Sequence, residues 1–361
     1  MGFKCGLVGL PNVGKSTIFN ELTSLNVPAH NFPFCTIKPN VGTMFIPDSR
    51  LNKIASIVNS NRVIPTCIEL VDIAGLVKGA HKGEGLGNKF LSHIKQTDLI
   101  IHVVRGFKNN AITHVYGRVN PIDDIEIVNL ELIFSDLNTC IKRIDKIKNN
   151  NIFNKNKTHR ELEILNRCLM FLKENKFLKF LNLTPEEIKV LNHLQLITLK
   201  PMIYVINMNH HIDDNDVFFK NISNIFKNKH FKFLYIHMNC KNKNSLQENK
   251  VVKNLELPLG KSGLSNIAKL GYEILKLKTF FTAGEKEVRA WTTNSGIKIF
   301  ESVKCIHTDF SKGFIRAQVI SYLDFIQYNG VKNVKKAGKV KLEGKDYFIN
   351  DGDIINVLYK I

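Results

Sequence analysis

Apolar positions follow two rhythms along this chain, and the change of rhythm marks its divisions. Residues 3–8, 99–104 and 202–206 are short, mostly apolar runs, and 67–73 is a further apolar-rich segment that carries Glu69 and Asp72. Such runs predict strands covered on both faces, as in a parallel sheet. Residues 15–24 instead carry Ile18, Phe19 and Leu22 at helical spacing. Strands alternating with helices predict an α/β domain with a mostly parallel sheet. From Glu126 the rhythm changes: Leu130, Phe134, Leu137, Ile141 and Ile144 are spaced four, three, four, three, and Leu162, Leu165, Leu169 and Leu172 three, four, three. A polar stretch at 149–157 separates the two series. This pattern predicts a helical hairpin with a short coiled-coil seam, inserted before the strand at 202. Thr184-Pro185-Glu186-Glu187 reads as a helix start, with a cap, Pro at the first position and acids at the positive end. Beyond Lys278 short strands are expected at 288–292, 314–319, 346–349 and 354–359. Asn329-Gly330, Glu343-Gly344 and Asp351-Gly352 supply turns between them. The expected division is an α/β domain from 1–128 and 197–277, a helical insertion at 129–196 and a small α+β domain at 278–361.

The chain has 361 residues, more than one core usually holds. No apolar run reaches the roughly 18 residues that span a bilayer, and the first residues form neither a signal peptide nor a myristoylation site. A cytoplasmic, monomeric protein without a membrane partner is expected. The seven cysteines are scattered, with no Cys-x-x-Cys pair, a pattern of reduced thiols and not of a disulfide frame or zinc site. Lys and Arg number 51 against 32 Asp and Glu, a formal charge of +19. That field attracts polyanions such as RNA. An AT-rich coding sequence would enrich Lys, Asn and Ile equally, so charge leaves RNA contact open.

Candidate chemistry begins with Gly9-Leu10-Pro11-Asn12-Val13-Gly14-Lys15-Ser16-Thr17, which fits G-x-x-x-x-G-K-[ST] between a strand and a helix. A triphosphate needs many donors converging in a small volume. Gly9 and Gly14 permit the tight turn, and backbone N–H groups from Asn12 through Val13, Gly14, Lys15, Ser16 and Thr17 can wrap the β-phosphate. Lys15 is expected on the β- and γ-oxygens, and Ser16 on Mg²⁺. Asp72-Ile73-Ala74-Gly75 follows a strand: Asp72 would hold the metal through water, and the Gly75 N–H would sense the γ-phosphate. Thr36 lies between the two motifs, where a switch residue belongs.

Guanine recognition would require Asn-Lys-x-Asp, and no Asn-Lys pair in the chain has Asp two places on. The base site expected after residues 202–206 reads Asn207-Met208-Asn209-His210. Without the carboxylate, guanine's donors stay unpaired at about 1–3 kcal/mol, which favours ATP read through backbone atoms. Leu76 stands where a water-orienting Gln would be, so intrinsic hydrolysis is expected to be slow. Asn12 could support a monovalent cation such as K⁺ between the β- and γ-phosphates; His81, in the glycine-rich 79–87 stretch, is the other candidate for handling water.

The P-loop, Asn31-Phe32-Pro33-Phe34-Cys35-Thr36, and residues 72–80 together resemble the YchF branch of Obg-related P-loop nucleotidases. So do Phe281-Thr282-Ala283-Gly284, Glu287-Val288-Arg289-Ala290-Trp291-Thr292 and residues 306–317. The resemblance implies a P-loop G domain, an inserted coiled coil and a C-terminal TGS domain of ubiquitin-like β-grasp fold. It also implies an ATPase switch that binds ATP with Mg²⁺ and docks on the large ribosomal subunit and the 70S ribosome, through rRNA or ribosomal protein. Ser16 and Thr36 carry over as Mg²⁺ ligands, and Met208 as the residue whose backbone meets adenine. His210 departs from the family's Asn-x-x-Glu. Two alternatives stand beside the ATPase: a ribosome- or RNA-binding module indifferent to nucleotide, and an Obg-type GTPase.

Overall fold

A computed structural model describes residues 3–24, 40–73, 86–149, 155–208, 226, 231–237 and 263–360. Thr36, Gly75, Leu76, His81, Asn209 and His210 lie outside the described residues.

The expected strands form one six-stranded sheet. They are β1 (Lys4–Val8), β4 (Cys67–Asp72), β5 (Leu99–Arg105) and β6 (Met202–Met208), with β2 (Val41–Phe45) and β7 (Lys232–His237) at the edges. The order is β2-β4-β1-β5-β6-β7. All neighbours are parallel except β2 against β4. Every residue of β5 and β6 is buried, which is why these segments read as nearly continuous apolar runs. The flanking helices α1 (Lys15–Ser24), α3 (Leu86–Lys95) and α7 (Gly263–Ile274) contribute Ile18, Leu22, Ile94, Ile267 and Leu270 to the shared core. The edge strands β2 and β7 were not legible in the sequence, because each is only partly buried and mixes polar with apolar residues.

The hairpin is α4 (Pro121–Asn149) and α5 (Lys155–Lys173). α4 is continuous from Pro121, so the division expected at 129 falls inside a helix. The expected seam is also displaced by rotation. Ile141 is 37% exposed, and the buried stripe runs through Val128, Leu132, Asp136, Cys140, Ile144 and Ile147. On α5 the expected Leu165 and Leu172 are buried, together with Glu161, Ile164 and Cys168. The buried acids hid this register, since a pattern of apolar residues skips them. Their partners explain their burial: Asp136 accepts from Ile197 N, Thr198 N and Thr198 Oγ1 at 2.7–2.9 Å, and Glu161 takes a bidentate fork from Arg143 at 2.7 and 2.9 Å. α6 (Pro185–Leu191) begins with the expected cap, a reciprocal box between Thr184 and Glu187.

The C-terminal unit is built on β8 (Leu277–Ala283), β9 (Val288–Asn294), β10 (Phe314–Ile320), β11 (Lys341–Glu343) and β12 (Ile354–Tyr359). β12 lies parallel to β8 at the sheet centre, and β8–β9 and β10–β12 are antiparallel. This is the mixed sheet that a β-grasp fold requires. The strand expected at 346–349 is not formed; only an isolated bridge joins Phe348 to Lys298. Asn329-Gly330 joins two short helices, α8 (Tyr322–Gln327) and α9 (Val331–Lys336), and not two strands. Phe280, Phe281 and Trp291 are core residues, the packing role usual for large aromatics.

One feature crosses the expected division. The edge strand of this second sheet is β3 (Val63–Ile64), parallel to β9. α2 (Ser49–Val58), capped by Asp48, buries Leu51, Ile54 and Ala55 against Phe281, Val288, Ala290, Ile320, Phe325 and Ile354. Residues 48–64 therefore belong to the C-terminal core, although they lie between two strands of the first sheet.

Candidate functional site

β1 ends at Val8 beneath the Gly-rich turn, and α1 begins at Lys15. The turn follows the sequence closely. A Cβ on Gly9 would stand 2.3 Å from Val103 O, so only glycine lets the loop cross β5 at this height. Gly14 has φ +97°, and a Cβ there would meet Asn207 Nδ2 at 2.4 Å. Both positions need glycine for close approach. Ile18 N donates to Gly14 O at 3.0 Å, starting the helix ladder within the loop.

Lys15 is 7% exposed. Its Nζ donates to Leu10 O at 2.7 Å and Gly9 O at 3.2 Å, so the ammonium is lodged inside the curve of the loop. Burial pushes this group down to about 8, against the opposing pull of Asp72. Ser16 and Thr17 are exposed at the start of α1. Ser16 Oγ donates to Asp72 Oδ2 at 3.0 Å. The other oxygen, Asp72 Oδ1, is buried and has no hydrogen-bond partner among the described residues. A hydroxyl and a carboxylate oxygen side by side, with one oxygen unsatisfied, are hard donors that fit Mg²⁺.

Asn207 and Met208 close the site from β6. The Asn207 Nδ2 donates to Val13 O at 3.0 Å, so this buried side chain tethers the loop. The main-chain carbonyl of Asn207 accepts from Gly106 N at 2.8 Å. Met208 is buried, and its Sδ would lie 2.3 Å from a Cβ on Gly106. The structure thus brings Asn12, Val13, Gly14, Lys15, Ser16, Thr17, Asp72, Asn207 and Met208 to one end of the sheet, at the carboxyl ends of its strands. Thr36 and Gly75, the remaining candidates, lie outside the described residues.

Asn12 adopts φ 61°, and its Nδ2 donates to Thr113 O at 3.1 Å. With the nitrogen so engaged, the amide oxygen is the atom left for a cation. The segment that supplies Thr113 is shaped by residues the sequence reading did not single out. Arg105 is fully buried at the end of β5 and donates to the carbonyls of Phe107, Asn109 and Ile112 at 3.0–3.1 Å. His114 Nε2 and Asp124 Oδ2 on α4 are 3.0 Å apart and buried. His102, on β5 under the loop, is buried with Nδ1 unpartnered among the described residues. Burial, with the Lys15 charge second, pushes His102 down to about 3. The available signal was a polar residue breaking an otherwise apolar run at 99–104.

Comparison with known proteins agrees with this geometry. A family model described as "50S ribosome-binding GTPase" matches residues 4–131. The model named for the YchF GTPase C-terminal region, described as "Protein of unknown function (DUF933)", matches residues 277–360. A protein of Buchnera aphidicola subsp. Baizongia pistaciae named ribosome-binding ATPase YchF is 54% identical over 367 residues, with both chains covered completely. Its namesake from Escherichia coli O157:H7 is 45% identical over 365 residues, again covering both chains completely. The solved structure of the Schizosaccharomyces pombe YchF GTPase is 30% identical, with a TM-score of 0.82 over 99% of this chain and 98% of that one. With the cradle, both sheets and full-length identity in agreement, the chain belongs to the YchF family.

Proposed function

We propose that this chain is a slow, Mg²⁺-dependent ATPase that binds the ribosome and changes conformation with its nucleotide. The observation that carries the reading is the unsatisfied Asp72 Oδ1 beside Ser16, at the mouth of a loop whose ammonium is buried among its own carbonyls. Ser16 and Asp72 would hold the ion, with Thr36 as a further expected ligand. The ion supplies charge neutralisation on the β- and γ-oxygens. The chain's own work is positioning. Backbone amides from Asn12 to Thr17 receive the phosphates, Lys15 offers a point charge, and Asn207 fixes Val13 so that the loop keeps its shape. Gly75 N–H is the proposed γ-phosphate sensor. K⁺ held through Asn12 is the proposed substitute for a water-orienting Gln.

The names of the relatives divide between ATPase and GTPase. The missing Asn-Lys-x-Asp favours ATP, with adenine read by the backbone near Met208. The ribosome enters through the relatives' names and the +19 charge, with the large subunit as the proposed docking partner. No helix among the described residues is long and apolar enough to cross a membrane. The test is hydrolysis of ATP and GTP measured with and without ribosomes, in K⁺ and in Na⁺. Faster ATP turnover, stimulated by ribosomes and slower in Na⁺, is expected. Tighter binding or faster turnover of GTP overturns the base assignment.

A further inference from the structure

Residues 48–64 are rooted in the C-terminal unit by backbone, core and polar contacts together. β3 pairs Val63 with Val288 and Ile64 with Arg289. Val288 N donates to Arg62 O at 2.9 Å, and Asn61 N to Glu285 O at 3.0 Å. The Arg50 guanidinium donates to Asp48 at 2.8 Å and to Asp351 at 2.5 Å, and lies 5.3 Å from the Phe281 ring centre. Thr66 Oγ1 is 2.6 Å from Thr292 Oγ1, and the same Thr292 oxygen is 2.6 Å from the Tyr272 hydroxyl.

The strands on either side of this root lead to the nucleotide cradle. β2 and β4 pair over five positions, from Val41–Val71 to Phe45–Cys67, a ribbon of about 16 Å at the usual rise per residue. Ile46 N donates to Thr66 O at 2.9 Å at the C-terminal-unit end. At the cradle end Asp72 N donates to Asn40 O at 2.8 Å, and Asp72 Oδ2 accepts from Ser16. A doubly hydrogen-bonded ribbon cannot slide by a residue without turning its side chains to the wrong face. It moves as a body, and its two ends are the metal-side carboxylate and the edge of the second sheet.

We propose that nucleotide occupancy of the cradle and the state of the C-terminal sheet are coupled through this ribbon, with α2 and β3 as its foot. This rests on the nucleotide reading above and specifies how that site is regulated. A partner seated on the C-terminal sheet and a nucleotide in the cradle then change each other's affinity by the same factor, as linkage requires. The C-terminal unit is a sensor of the cradle and not a tethered adaptor.

The chain provides its own reporter. Trp291 is the sole tryptophan. It is 8% exposed on β9, the strand paired with β3, and the Arg289 guanidinium lies 4.0 Å from its ring centre. Full-length protein is titrated with Mg²⁺ and the non-hydrolysable ATP analogue AMP-PNP, following Trp291 emission, calorimetric heat and deuterium exchange. The expected result is a saturable emission change at the calorimetric midpoint, with slowed exchange in residues 49–58. In the double variant Arg50→Met/Thr66→Val the analogue still binds, and the emission change falls by about half or more. Calorimetric binding without any change in emission or in exchange at 49–58 overturns the coupling and leaves the nucleotide reading intact. A full wild-type response in the double variant overturns the route through Arg50 and Thr66. No heat with the wild-type chain overturns the nucleotide reading itself, and the coupling falls with it. The wild-type exchange measurement does not depend on the double variant folding.

Discussion

Lys15 is held below its ordinary proton affinity because its ammonium is buried in the loop. A triphosphate in contact with it would favour the charged form. Binding near pH 8 is therefore expected to take up a proton, read as a dependence of calorimetric heat on the ionisation enthalpy of the buffer. Lys15→Ala is expected to abolish that dependence and to lower hydrolysis by about a hundredfold or more, with the thermal melt retained. His102 offers a stability test. Its folded-state value is pushed from 6.5 to about 3. The unfolded chain takes a proton as pH falls through the upper value, while the folded chain does so only at the lower one. Stability is therefore lost as pH falls across that window, and urea midpoints of His102→Leu are expected to decline less steeply between roughly pH 6.5 and 4. The phosphate cradle was legible because its parts are consecutive: Gly9, Gly14, Lys15 and Ser16 lie in one turn. The Asn207–Val13 tether was not, because its partners are 194 residues apart.

Among the elements, the hairpin shows what an apolar pattern can and cannot fix. Its two helices follow from spacing alone, yet the faces they bury include Asp136, held by the donors of residues 197–198, and Glu161, held by Arg143 on the facing helix. Asp136→Ala is expected to destabilise the protein by about 2–4 kcal/mol, since the Ile197 and Thr198 donors would lose their acceptor in a buried setting. Ile141→Ala, on the expected seam but on the exposed side of the observed one, should change stability by less than about 0.5 kcal/mol. Urea denaturation of the two variants decides between the registers.

For the whole molecule, the +19 charge and the joint C-terminal core make separate predictions. Ribosome cosedimentation is expected to weaken steeply as salt rises, because cations bound to phosphate are displaced when Lys and Arg engage it; binding indifferent to salt would point to apolar contacts instead. Residues 277–360 expressed alone lack Leu51, Ile54 and Ala55 against Phe281, Ala290 and Ile354, as well as the β3 edge. That segment is expected to melt non-cooperatively, and addition in trans of a peptide spanning 48–64 should restore a cooperative transition. No pattern within 48–64 announces this placement. Leu51, Ile54 and Ala55 read as an ordinary helix face, and only long-range pairing reveals which core they fill.

The same placement has a consequence for synthesis. The apolar face of α2 leaves the ribosome early, but its cover at Ile354 is made about 300 residues later, a wait of roughly 15–60 s at ordinary elongation rates. Through that interval the nascent chain carries an open greasy stripe between the two strands of the β2–β4 pair. A chain stalled or cut short before its final strand would expose that stripe for good, making it an early target for chaperones and proteases.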